Sequence, residues 1–148
     1  MEGVNMVNAP VVAKERNIQV SEIRHERTAH YKTLLRITLD TDKGKQEVAG
    51  TLFGDKPRIV SVNGVPLEAA LGTRMLYVNN EDKPGLIGNL GQLLGDAKVN
   101  IANFHLGRTE DKSDAVALLE VDQEVSPELI AKIGKLPSVK NVRLLVIG

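Results

Sequence analysis

The sequence predicts an α+β fold in two parts: a partial α+β domain over residues 1–72, followed by a second domain over residues 73–148. Two observations carry this. The first part is dominated by runs in which apolar and polar residues alternate, the period of a half-buried strand. The second interleaves such runs with two stretches whose apolar residues recur at helical spacing.

The first part opens with a short helix. Asn8 is placed to cap it, Pro10 fits its first turn, Val11, Val12 and Ala13 give an apolar side, and Asn17 can end it. Ile18, Val20 and Ile23 read as the start of a strand. Leu35, Ile37 and Leu39 then alternate with Arg36, Thr38 and Asp40. Asp42-Lys43-Gly44 supplies a turn, and Val48–Phe53 returns as the hairpin partner. Arg58–Val62 forms a further apolar run, closed by the turn dipeptide Asn63-Gly64. Leu67–Thr73, with Leu71-Gly72, reads as a short connection.

In the second part a strand carries Met75 and Tyr77 and is stopped by the polar run Asn79-Asn80-Glu81-Asp82-Lys83. Pro84-Gly85 opens a helix in which Leu86, Leu90, Leu93, Leu94 and Ala97 share one face. Gly88 and Gly91 lie inside that helix, each costing about 1 kcal/mol relative to alanine, so close packing against a sheet is expected there. Val99–Arg108 and Ala115–Val121 read as strands joined by a turn at Glu110–Ser113. Pro127 starts a second helix with Leu129, Ile130, Ile133 and Leu136, and Val139–Val146 closes as a strand. The order βαββαβ is the split, ferredoxin-like arrangement, an antiparallel sheet covered by two helices on one face. The other face must be met by something, so self-association is expected.

Composition excludes several functions. The formal charge is zero, from 19 basic and 19 acidic side chains, which argues against nucleic acid as a partner. No apolar run approaches the roughly 18 residues of a membrane span, and no charged-then-apolar leader opens the chain. The absence of cysteine removes disulfides, thiolate nucleophiles and zinc–sulfur sites, and suits a cytoplasmic location. His25, His30 and His105 are too scattered for a metal site, and His105, alternating with Phe104 and Leu106, reads as a packed or edge residue. No residue is assigned as catalytic, and no metal ligand is assigned.

Two motifs carry a resemblance. Asn80-Glu81-Asp82-Lys83-Pro84-Gly85-Leu86-Ile87-Gly88, followed by Val99-Asn100-Ile101-Ala102, resembles the signature of ACT domains, the amino-acid-sensing modules of metabolic enzymes. Gly3–Pro10 and Val60–Gly64 resemble the intervening, or allosteric substrate-binding, domain of long-form phosphoglycerate dehydrogenases. The resemblance implies a C-terminal regulatory region that binds L-serine or another small amino acid and mediates feedback inhibition. It also implies a homodimer through the ACT domain, with a tetramer in the full-length enzyme. The glycine-rich dinucleotide turn is absent, so no cofactor is expected in this chain and NAD is expected in a catalytic domain elsewhere. Regulatory parts of L-serine dehydratases resemble the same pairing, and an assembly module that binds no effector is a further reading.

An amino-acid sensor must satisfy an ammonium and a carboxylate. Asp82 can accept from the ammonium, Asn80 and Asn100 offer donors and acceptors, and the amides of Leu86 and Ile87 open a helix whose dipole favours an anion. The spacing reads as one site, with Asn80 and Asp82 ending a strand and Asn100 starting the next. The same residues also fit turn, cap and strand-entry roles. By resemblance, serine sensors place the first pair on one subunit and the second asparagine across a dimer interface. Arg58, and with it Arg74, are candidates for an anion or phosphate site implied by the intervening-domain resemblance. Arg24, His25, Arg27, His30 and Lys32 form a local basic cluster.

Overall fold

The computed structural model describes residues 3–23, 31, 33–42 and 44–147. The basic cluster at residues 24–32, apart from Tyr31, and Lys43 of the proposed turn lie outside the described residues. Among the described residues the fold is α+β, with three helices and two antiparallel four-stranded sheets.

Helix α1 (Ala9–Glu15) starts at Asn8, with Pro10 in its first turn, and Asn17 follows its end with φ +56°. Asn8 does not cap through its side chain. Its Oδ1 accepts instead from the Asn5 amide at 2.7 Å, and its Nδ2 donates to the Gly3 carbonyl, so the two asparagines brace the entry turn. The strand expected at Ile18–Ile23 is not formed; Ile18, Val20 and Ile23 are exposed. Among the described residues no strand pairs with this segment.

The first sheet is a meander of β1 (Leu35–Thr41), β2 (Gly44–Phe53), β3 (Lys56–Val62) and β4 (Val65–Ala70), in that spatial order. Asn63 and Gly64 make the β3–β4 turn with φ of +50° and +80°. Asn63 also exchanges hydrogen bonds with Glu47, donating its amide at 2.7 Å and accepting on Oδ1 at 2.8 Å, which ties the turn to β2. The stretch read as a connection from Leu67 onward is therefore mostly strand. Val65, Leu67 and Ala69 alternate into the interior while Pro66 and Glu68 face out.

The second sheet contains β5 (Arg74–Glu81), β6 (Ile101–Arg108), β7 (Asp114–Val121) and β8 (Val139–Val146), in the spatial order β6-β7-β5-β8. Helices α2 (Leu86–Asp96) and α3 (Pro127–Ile133) cover one face. Ser126 caps α3 by accepting from the Leu129 amide at 3.2 Å. Leu86, Leu90 and Leu94 of α2, with Leu129 and Ile133 of α3, close over Leu76, Val78, Ala117, Leu119 and Val121. Ala97 stands outside this face and is exposed. The polar run after Tyr77 does not stop β5, which continues to Glu81 and buries Asn80.

The opposite face is met from within the chain. Leu67 and Ala69 of β4 pack on Met75 and Leu118, with Ile59, Val62 and Tyr77 at the margin. Self-association is therefore not needed to cover that part of the face. Gly107 of β6 sits at the closest approach. A Cβ there would overlap the Pro66 carbonyl oxygen and lie 2.8 Å from Leu67 Cβ. Gly88 and Gly91 do the reverse of what was expected: a Cβ on either meets nothing within 4 Å. They face open space, so close packing does not explain them.

Among the described residues no helix is long and apolar enough to cross a membrane. The seam makes a test. Gly107→Ala is expected to cost about 1–3 kcal/mol through overpacking against backbone. Gly72→Ala is expected to cost little, because the atoms its Cβ would meet belong to the flexible Glu120 side chain, at 2.5 Å. Urea midpoints of the two variants check this, and equal midpoints would contradict the seam.

Candidate functional site

The register of the second sheet decides where each proposed residue lies. Asn80 of β5 and Arg108 of β6 both pair with Ala115 of the intervening β7. Paired residues share a face. Asn80, Ala115 and Arg108 therefore form a row across the helix-covered side of the sheet, at the end where β5 leads toward α2. Two strand spacings separate Asn80 from Arg108 at the backbone, about 10 Å.

Asn80 is 2% exposed. Its Nδ2 donates to the Glu81 carbonyl at 2.6 Å, while its Oδ1 is buried and has no hydrogen-bond partner among the described residues. A buried amide oxygen left unpaired costs about 1–3 kcal/mol. Asn80 lies within β5, paired with Ala115, and is therefore a strand residue and not a turn residue. Asn79 has an unpaired buried Oδ1 as well, and its position in β5 turns it to the other face.

Asp82 is held from both sides. Its amide donates to the Ser113 carbonyl at 3.1 Å, and its carboxylate accepts from Arg108 Nε at 2.7 Å and Nη2 at 3.0 Å. The Asp82 side chain is 11% exposed and that of Arg108 56%. Hydrogen bonding to Asp82, reinforced by its charge, raises the Arg108 pKa further. Asp82 is thus neither a cap nor a free carboxylate. The first turn of α2 follows, with Gly85 at the N-cap in a left-handed conformation, φ +100°. No side chain caps this end, which leaves first-turn amides such as those of Leu86 and Ile87 available to another acceptor.

Asn100 lies elsewhere. Ile101, its neighbour, pairs with Val121, whereas Asn80 pairs with Ala115. Six residues of strand separate the two levels, about 20 Å. Asn100 is exposed, its amide donating to Gln123 Oε1 and its Nδ2 to Asp122 Oδ2, both at 2.6 Å. One chain therefore does not join Asn100 to Asn80 and Asp82. Within one chain these residues stay apart because β6 starts at the far end of the sheet from where β5 finishes.

Arg58 is half-buried in β3, opposite Ala70 and Thr51, and Arg74 opens β5 opposite Val146. Among the described residues neither side chain has a hydrogen-bond or ion-pair partner, and no anion-binding group is built around them. His105 is half-buried in β6 opposite Leu118, as a packed strand residue. Among the described residues no cluster of three metal-ligating side chains occurs.

Reading the residues for sites missed Arg108. Its signal was the hairpin itself: pairing Val99–Arg108 with Ala115–Val121 through the intervening turn puts Arg108 beside Ala115. Other charges surround this end. Lys83 bonds Glu81 at 2.5 Å and lowers the Glu81 pKa, and Lys140 pairs with Asp114.

Comparison with known proteins follows this geometry. Residues 74–138 match the ACT domain model, so the second sheet with its two helices is an ACT domain. Residues 1–63 match the D-3-phosphoglycerate dehydrogenase intervening domain. The chain has the domain make-up of the C-terminal part of the D-3-phosphoglycerate dehydrogenases. It is 35% identical over 145 residues to the D-3-phosphoglycerate dehydrogenase of Methanocaldococcus jannaschii, covering 98% of this chain and 28% of that protein. The Bacillus subtilis protein of the same name is 31% identical over 145 residues, covering 96% of this chain and 27% of its own length. The chain thus spans little more than a quarter of the length of these curated relatives.

The β6–β7 turn beside the site is pinned by Asp111, whose Oδ1 accepts from Thr109 Oγ1 at 2.6 Å, Ser113 Oγ at 2.8 Å and the Ser113 amide at 3.1 Å. The Thr109 hydroxyl, then the Ser113 amide and hydroxyl, lower its pKa to about 2. The folded pKa lies below the unfolded value of about 3.9. The turn's contribution is therefore fully present above about pH 4 and is lost as pH falls through about 2. A carboxyl-carbon NMR titration should place the Asp111 midpoint at about 2; a midpoint near the unfolded value of about 3.9 would contradict the assignment.

Proposed function

We propose that the chain is the L-serine-binding regulatory region of an NAD-dependent phosphoglycerate dehydrogenase of serine biosynthesis, acting in the cytoplasm. The observation that carries this is the unpaired, buried Asn80 Oδ1 beside the Asp82 carboxylate. Such an acceptor is costly in isolation and favourable once a donor arrives, and an ammonium or a hydroxyl is that donor. The ACT match and the names of the relatives point to the same class of ligand and the same parent enzyme.

The distance between Asn100 and Asn80 within one chain supports a site shared between two chains. One chain offers Asn80, Asp82 and the first amides of α2; a second offers Asn100. The outer edge of β6 is free of strand partners in the sheet order, so two copies can meet there and bring one chain's Asn100 to the other's Asp82. Serine bound across that contact favours whichever arrangement it binds better, which is how it inhibits. Nicotinamide chemistry belongs, in this reading, to the catalytic part of the longer enzyme. Arg58 and Arg74 remain candidates for an anion site in the intervening domain.

Calorimetry on the chain should detect L-serine, and Asp82→Ala should weaken it roughly ten- to hundredfold, about 1.5–3 kcal/mol. Asn100→Ala should act similarly. Mixing Asp82→Ala chains with Asn100→Ala chains should restore binding to a fraction of sites, since one intact site re-forms per mixed dimer. Binding by another amino acid alone would reassign the effector. Full affinity in both single variants would remove the site, and no restoration on mixing would remove the shared interface.

A further inference from the structure

Two acceptors at the Asn80 end, a carboxylate and an amide oxygen, satisfy the cationic half of an amino acid, while the first amides of α2 offer its anionic half neutral donors only. The row across the sheet supplies a cation for it. We propose that Arg108 is a specificity-determining residue of this site, receiving the carboxylate of the amino acid whose ammonium is taken by Asp82. The inference rests on the reading of this site as an amino-acid site.

Three features support it. Of the five N–H donors of a guanidinium, Asp82 takes two, one from Nε and one from Nη2. Three remain, on an arginine whose side chain is 56% exposed. Next, each carboxylate oxygen has two acceptor positions, and Arg108 uses one on each Asp82 oxygen. Asp82 therefore keeps room for an ammonium without releasing Arg108. Finally, the order of groups is fixed. Asp82 is locked by its amide to Ser113 and by its carboxylate to Arg108, and Asn80 stands on the same face across Ala115. The bridge thus presents an anion and a cation side by side, matching the charge pattern of a zwitterion.

A merely supporting role makes a different prediction. If Arg108 only holds Asp82 in place, its loss weakens every ammonium ligand alike. If it binds the carboxylate, its loss is felt only by ligands that carry one. The test uses the full chain and two probes, L-serine and L-serinamide, which replaces the carboxylate by a neutral amide. Titrations followed by amide chemical shifts at about pH 6, below the α-amino range, keep both amines protonated. Arg108→Gln should weaken L-serine about tenfold or more while leaving L-serinamide within about twofold. Arg108→Lys, which keeps the charge but not the fork, should fall between wild type and Arg108→Gln for L-serine. It also serves if the glutamine variant fails to fold. Equal losses for both probes, or unchanged L-serine affinity in the lysine and glutamine variants, would overturn the proposal while leaving the amino-acid site standing. A wild-type chain that binds neither probe nor any other amino acid would overturn both.

Discussion

The strand Asp114–Val121 is buried on both of its faces, and the rest of the chain is arranged to keep it so. Ala117, Leu119 and Val121 lie under the two helices, while Leu118 lies under β4 of the other sheet. Burial of a Leu side chain is worth about 1.5–3 kcal/mol, and β7 contributes two such residues to opposite layers. A strand needing cover on both sides fixes the order of layers: helices, ACT sheet, then the end of the intervening-domain meander. It also places the ends of β5 and β6 on either side of Ala115, with Asn80 on one side and Arg108, bonded to Asp82, on the other.

This layering brings the seam and the site within one residue of each other. Gly107 and Arg108 are successive residues of β6 and face opposite ways. One lies against the Pro66 backbone; the other holds Asp82. A change in how Arg108 is engaged acts on the strand whose preceding residue lies against β4 of the first sheet. Coupling of this kind requires a ligand that binds two arrangements unequally.

Much of the fold was legible from periodicity. Leu86, Leu90 and Leu94 announced the buried face of α2, and Val139–Val146 was read with its observed limits, because both segments have one core-facing side. Misreadings occurred where that premise failed. Leu67–Thr73 looked like a connection because of Leu71-Gly72, yet Leu67–Ala70 belongs to β4, where packing against Met75 and Leu118 overrides the weak strand propensity of the two alanines. Ile18–Ile23 alternates, but among the described residues no strand pairs with it. Asn79 and Asn80 looked like a stop signal because local chemistry favours asparagine in turns; pairing with β7 on one side and β8 on the other carries the strand through them. Within the candidate site, Asn80 and Asp82 could be picked from the motif. Neither the bridge to Arg108 nor the remoteness of Asn100 could be, since both depend on strand order and not on spacing along the chain.

The central claim is that an amino acid engages both ends of this sheet because two chains share each site. Amide chemical-shift mapping of the chain with L-serine tests it most directly. The account predicts shifts at two places about 20 Å apart in one chain: around Asn80, Asp82, Leu86 and Ile87, and around Asn100 and Ile101. Both sets should follow a single binding curve. Shifts confined to one end, or two sets with unrelated midpoints, would contradict it.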